Sequence, residues 1–298
     1  MQNGAEKNRL YFFVDLRRQT NTGKIDSMFD LSNARFAFLD VETTGLSPWF
    51  GDRICQIAVV LTEGKRIKST LDLLLNPGRS LSPAAFHVNQ LDESKLSAAP
   101  TFEDIADQLQ ASLSGAVVVC HNAKFDIQFL DNEYRKLGRS IEYPNLIDTL
   151  LLAREYFDLP SYSLHHLAEA FNVSTNLHGS RAQADALTAK NLFFAMMDVL
   201  KPNGRPLDDY IGIYNSPAWP DEGVYLPTEL SEAIYSGQKL FIKYIDKDGE
   251  ISERWISPMQ VIGLADYIYL QAYCHTREAE RTFRLDRIIE VSVEVGKE

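Results

Sequence analysis

The run Phe36-Ala37-Phe38-Leu39-Asp40-Val41-Glu42-Thr43-Thr44-Gly45 is apolar except for two carboxylates spaced as i and i+2 before a polar turn. In a β-strand, residues two apart point to the same face, so Asp40 and Glu42 converge on one small volume at the end of a buried strand. Burying an unpartnered polar group costs roughly 2–7 kcal/mol, and neighbouring carboxylates resist ionising together. A divalent cation between them resolves both problems. Taken alone, the pair also fits a strand that ends in a polar turn.

The chain has 298 residues, enough for two units with separate cores. Its 30 basic and 41 acidic residues leave a formal charge of −11. That excludes a protein that coats nucleic acid through a broad basic surface, but not one that grips a single strand end. No apolar stretch is long enough to span a bilayer, and the early run Leu10 to Val14 is followed at once by charge. Cys55, Cys120 and Cys274 are widely spaced, with no Cys-x-x-Cys pair, as expected of core thiols in a reducing, cytoplasmic setting.

Between Ala34 and about Leu200, short apolar runs alternate with helical periodicity, the pattern of an α/β layer fold. Strands are expected at Ala34 to Val41, Ile54 to Leu61, Leu71 to Leu75 and Ala116 to Cys120, the first three as an antiparallel meander. Helices are expected at Phe102 to Leu113, Lys124 to Leu137, Asp148 to Phe157, Leu164 to Phe171 and Arg181 to Leu200. Residues 202–226 are rich in proline and read as a linker. From 227 to 298, one helix at Pro227 to Ser236 precedes four strand-like segments, Lys239 to Tyr244, Ser252 to Ile256, Tyr267 to Tyr273 and Arg281 to Leu285, suggesting a small β-barrel. Residues 1–33 carry no clear assignment.

Two further acids extend the first pair. Asp126, in His121-Asn122-Ala123-Lys124-Phe125-Asp126, falls in the first helical turn after an apolar strand, where it can face the strand ends. Asp185 lies in helical register with Ala189, Leu192 and Met196, the stripe that must face the core. Each has an ordinary reading, a helix N-terminal acid and a charge at the stripe's edge. With Asp40 and Glu42 present, four acids in this arrangement favour a metal centre.

These motifs, with Gly51-Asp52-Arg53-Ile54, Asn76-Pro77-Gly78 and Arg181-Ala182-Gln183-Ala184-Asp185, resemble the DEDD exonucleases of the proofreading type, over roughly residues 34–200. The resemblance implies an RNase H-like mixed sheet flanked by helices, two Mg²⁺ or Mn²⁺ ions held by Asp40, Glu42, Asp126 and Asp185, and stepwise release of nucleoside monophosphates from a 3′ end. It also implies substrate contacts from Thr43, Thr44, Gly45, Leu46, His121, Asn122 and Phe125. The substrate expected is nucleic acid, single-stranded DNA before RNA, and residues 1–33 would be the natural contact for a polymerase or helicase partner. The family's general base is a histidine five residues before the last aspartate, and here that position is Ser180. A hydroxyl cannot readily take a proton near neutral pH. Ser180-Arg181-Ala182-Gln183 fits a capping box instead. His178, two residues earlier, is the candidate replacement, with a weakened nuclease acting as a binding regulator as the rival reading. Arg181 excludes the variant that uses tyrosine four residues before the aspartate.

Arg254-Trp255-Ile256-Ser257-Pro258, Tyr267 to Cys274 and Arg281-Thr282-Phe283-Arg284-Leu285-Asp286-Arg287 resemble a WYL domain, an Sm- or SH3-like β-barrel. The resemblance implies a nucleotide or nucleic-acid ligand on a patch of Arg254, Tyr269, Arg281, Arg284 and Arg287. Salt bridges to Asp286, Glu253 and Glu280 are the alternative use of these arginines.

Overall fold

A computed structural model of the chain describes residues 31–46, 48, 51–141, 145–175, 179–200, 226, 228–264 and 267–293. Most of the N-terminal extension, His178 and nearly all of the expected linker lie outside these residues.

The first unit is built on a five-stranded mixed sheet of order β3-β2-β1-β4-β5. Strands β1 (Arg35–Thr43), β2 (Ile54–Glu63) and β3 (Arg66–Leu74) form the expected antiparallel meander, while β4 (Val117–Cys120) and β5 (Asn145–Asp148) add in parallel. Helices α1 (Pro83–Asn89), α2 (Glu93–Ala98) and α3 (Phe102–Leu113) precede β4, and α4 (Ala123–Lys136) follows it. Helices α5 (Thr149–Tyr156), α6 (Leu164–Ala170) and α7 (Arg181–Leu200) follow β5. Strand alternation sorts β1 between two cores. Ala37, Leu39 and Val41 pack with Ile105, Leu109 and Ile127 of α3 and α4. Phe36 and Phe38 pack with Phe193 and Phe194 of α7, ring centres 5.3–5.8 Å apart. Asp40 and Glu42 therefore continue the face that α7 covers. Since β1 outruns its pairing with β4, both acids sit at the carboxyl ends of adjacent parallel strands, the crevice where open α/β sheets bind ligands.

Helix α8 (Thr228–Ser236) leads into β6 (Leu240–Ile245), β7 (Ile251–Leu264), β8 (Tyr267–Cys274), β9 (Ala279–Arg284) and β10 (Ile288–Val293). These five strands form an antiparallel sheet of order β10-β6-β7-β8-β9 around Leu240, Ile242, Ile256, Leu270 and Phe283, with Leu230 and Ala233 of α8. Of the small β-barrel expected from the sequence, the five-stranded antiparallel sheet is present, and closure is not seen among the described residues. After β9 the chain turns through a 3₁₀ segment, Leu285–Arg287, and β10 pairs with β6, so no pairing joins the edge strands β9 and β10 among the described residues.

The two units touch. Helix α1 packs on β10 and the 3₁₀ turn, Leu46 packs against the second core, and Arg154 of α5 pairs with Glu232 of α8 at 3.1 Å. All three cysteines are free and buried, and burial pushes the Cys55 thiol up to about 12.

Candidate active site

Asp40 and Glu42 on β1 and Asp185 in the first turns of α7 bring carboxylate oxygens within 4.8 Å of one another. Asp126 approaches from α4, where its buried Oδ1 accepts a hydrogen bond from Val41 N at 3.1 Å. It is thereby fixed beneath the backbone that joins the first two acids. Its helix begins at Asn122, held in the left-handed region at φ 64°, and the carboxylate that holds this turn is Asp148. Asp148 accepts from Asn122 N and Ala123 N at 3.0 Å and from Leu150 N at 2.9 Å.

Desolvation dominates the electrostatics of the cluster. It lifts Asp40 and Asp126 well above the usual carboxylate range, Glu42 to about 7, and Asp185 upward, with the neighbouring acids adding to the rise at Asp40 and Glu42. The protein alone does not sustain four negative charges here. Arg181 offers partial relief: its Nε lies 3.0 Å from Glu42 Oε1 and 3.8 Å from Asp185 Oδ2, while Nη1 donates to Val88 O at 3.1 Å. An all-oxygen donor set that resists ionisation fits hard divalent cations such as Mg²⁺ or Mn²⁺.

Ser180 is committed elsewhere. Its Oγ donates to Asp72 Oδ1 at 2.8 Å and accepts from Gln183 N at 3.1 Å, the serine half of the expected capping box. The Gln183 side chain folds back over Gly179, where an added Cβ would lie 2.0 Å from Oε1.

The turn after β1 is tied down rather than loose. Buried Thr44 donates to Asp52 at 3.2 Å and accepts from Arg53 N at 3.1 Å, and Thr43 Oγ1 donates to Gly45 O at 2.6 Å. At Gly45 a Cβ would fall 2.4 Å from Asp52 Oδ2, so a larger residue there would displace the Asp52 carboxylate. Arg53 forks onto Glu133 of α4 with two 2.6 Å bonds, anchoring β2 beside it.

Of the substrate contacts expected from the sequence, Thr43, Gly45, Leu46 and Phe125 line a cleft of about 570 Å³ together with Glu42 and Arg181. Thr44, His121 and Asn122 are not among its lining residues. His121 Nδ1 meets Thr149 Oγ1 at 2.9 Å, and desolvation pushes its imidazole down to about 4, which keeps it neutral. Sequence reasoning missed two residues of the site. Arg181 carried a signal, its i,i+4 spacing to Asp185, whereas Asp148 could be found only once β5 was recognised as the neighbour of β4.

The arginines expected to form one ligand patch divide between two faces of the second sheet. Tyr269 and Arg284 are cross-strand partners on one face. Arg254, opposite Ile242, and Arg281, opposite Ala272, alternate onto the other. Arg284 is bound by Asp286 through two bonds of 3.0 and 2.5 Å and lies 3.5 Å over the Tyr267 ring. Arg287 is in the 3₁₀ turn.

A mixed sheet whose β1 ends in Asp40 and Glu42, with Asp126 of α4 and Asp185 of α7 beside them, has the donors of a divalent-metal site, and comparison with known proteins places the family. Residues 37–193 match the sequence model of the family described as "Exonuclease", and residues 226–293 that described as "WYL domain". The chain belongs to the exonuclease family and carries a WYL domain behind its exonuclease unit. It is 37% identical over 170 residues to a DNA polymerase III PolC-type of Caldanaerobacter subterraneus subsp. tengcongensis, covering 57% of this chain and 12% of that protein. It is 34% identical over 165 residues to the DNA polymerase III subunit epsilon of Rickettsia conorii, covering 53% of this chain and 72% of that one. A solved full-length 3′-exonuclease superposes with a TM-score of 0.50 at 15% identity, covering 59% of this chain and 64% of the other, and this likeness concerns the fold alone.

Proposed function

We propose that the protein hydrolyses phosphodiester bonds at the 3′ end of nucleic acid, single-stranded DNA before RNA, and releases nucleoside 5′-monophosphates. The observation that carries this reading is the convergence of Asp40, Glu42 and Asp185 within 4.8 Å, with Asp126 held beside them by Val41 N and Glu42 lining the adjoining cleft. Asp40, Glu42 and Asp185 would hold one divalent ion and Asp126 a second, and ions so held supply charge stabilisation at the phosphoryl and leaving oxygens and a more acidic water.

The chain's own residues do the rest. The turn at Thr43 and Gly45 presents a fixed backbone to the terminal nucleotide, Leu46 and Phe125 offer apolar surface to its base, and Arg181 supplies the cation beside the acids. Arg181 cannot act as a base, since a guanidinium stays protonated in proteins. Ser180 is engaged on both sides, so the proton acceptor assigned here is His178. A polymerase or helicase partner, and a nucleic-acid or nucleotide ligand for the WYL domain, belong to the same proposal.

Incubating 5′-labelled single-stranded DNA and RNA with Mg²⁺, Mn²⁺ or EDTA tests it. A ladder of shortened products that needs metal and is lost in Asp40→Asn is expected, with His178→Ala slowed on both polymers. Binding without a ladder in either metal would leave a nucleic-acid-binding regulator in place of an enzyme.

A further inference from the structure

The cleft that Glu42 lines is not walled by the exonuclease unit alone. Across it from Glu42, Leu46, Phe125 and Arg181 stand Leu285, Asp286, Ile288, Ile289, Glu290 and Val291 of the second domain. Their position is set by three separate contacts: α1 against β10 and the 3₁₀ turn, Leu46 in the second core, and the Arg154–Glu232 ion pair. The two walls differ in chemistry. On the exonuclease side the polar surface is Glu42, the member of the acid cluster that lines the cleft, paired with Arg181 at 3.0 Å. On the other side, Ile288, Ile289 and Val291 stand beside two carboxylates already matched by cations, Asp286 by Arg284 and Glu290 by Lys243 at 2.5 Å. An apolar wall without free positive charge suits a base rather than a phosphate.

We infer that β10 and the 3₁₀ turn of the WYL domain form the base-facing wall of the substrate cleft and restrict the exonuclease to unpaired 3′ ends. The inference rests on the exonuclease reading and adds its substrate form. A space of about 570 Å³ falls within the roughly 300–1,000 Å³ that holds one small-molecule ligand, which here corresponds to one or two nucleotides of a single strand. A base pair at the terminus would place its second strand where β10 stands. The domain therefore acts as a steric filter at the catalytic mouth.

The full-length protein with Mn²⁺ is given three probes: the p-nitrophenyl ester of thymidine 5′-monophosphate, a 5′-labelled single strand, and the same strand in a blunt duplex. Rapid ester hydrolysis is expected, with the single strand degraded at least tenfold faster than the duplex. Arg154→Glu, outside the catalytic machinery, sets two acids against each other across the domain contact. It is expected to raise duplex degradation at least threefold with ester hydrolysis unchanged, and adding Glu232→Arg should restore the original ratio. Ester hydrolysis with equal rates on blunt and single strands would overturn the filter, as would a duplex-to-single-strand ratio that Arg154→Glu leaves unmoved. Failure to hydrolyse even the ester would remove the exonuclease reading and the filter with it.

Discussion

Replacing one charge of the acid cluster is expected to stabilise the protein when metal is absent. Asp40, Glu42, Asp126 and Asp185 all have folded-state pKa values above their ordinary ones, so their favourable contribution is present at low pH and is lost as pH rises through the folded values, about 7 for Glu42. The metal-free protein should therefore be less stable at pH 8 than at pH 6. Asp40→Asn should raise its melting temperature in EDTA at pH 8 by roughly 2–4 °C, equivalent to about 1 kcal/mol. At pH 5 the gain should vanish. With saturating Mn²⁺ the order reverses, because a metal must displace the same protons and only the wild type offers all four ligands. Thermal melts at the three pH values, with and without metal, check the sign. The acids were legible in the sequence because i,i+2 spacing on an apolar run has few structural uses. The pairing of Arg181 with Glu42 and the hold of Asp148 on the Asn122 turn were not read, since they depend on approaches between β1, α7, β4 and β5 that no local pattern encodes.

At the scale of elements, the anchors of the site are side chains that join one segment to another. Arg53→Ala leaves Glu133, 2% exposed, without its charge partner and with only the 3.3 Å bond from Ile54 N, and should cost about 3–5 kcal/mol in denaturant unfolding. Ser180→Ala removes a helix cap and its bond to Asp72, and should cost about 1 kcal/mol while turnover persists, because the hydroxyl is not the base. Lost turnover with unchanged stability would return Ser180 to the chemistry. The long elements matched the sequence reading within a few residues, as hydrophobic periodicity survives in β1, β2, α3, α4 and α7. Helices α1 and α2 and strands β5 and β10 escaped it. Helix α1 has seven residues and none buried, so it carries no apolar stripe; it forms on the Ser82 cap followed by Pro83. Strand β7 runs on through Pro258, which the sequence marks as a stop, because a bulge between Pro258 and Gln260 absorbs the irregularity. Strand β10 escaped the sequence reading for a related reason: the 3₁₀ turn before β10 carries that strand to β6, and nothing in Ile288-Ile289-Glu290-Val291 announces which edge it will join.

For the whole molecule, the charge of −11 leaves strand capture to local features rather than to a general field. Since Arg254 and Arg284 lie on opposite faces of the second sheet, one ligand cannot use both. In titrations against single-stranded DNA, alanine at no more than one of the two should lower the salt slope by about 1, and the double variant should match the stronger single. Among the described residues no helix is long and apolar enough to cross a membrane. The joining of an exonuclease unit to a WYL domain was legible from motifs, but the seating of β10 at the catalytic mouth was not, because it arises from surfaces of α1 and Leu46 that sequence spacing does not relate. The most direct test of the central claim is to identify, by chromatography and mass, the first product that the full-length protein releases from a 5′-labelled single strand in Mn²⁺. A nucleoside 5′-monophosphate from the 3′ end, absent with Asp40→Asn, is the predicted result; an internal fragment, a 3′-monophosphate, or equal release by the Asp40→Asn variant would contradict the account.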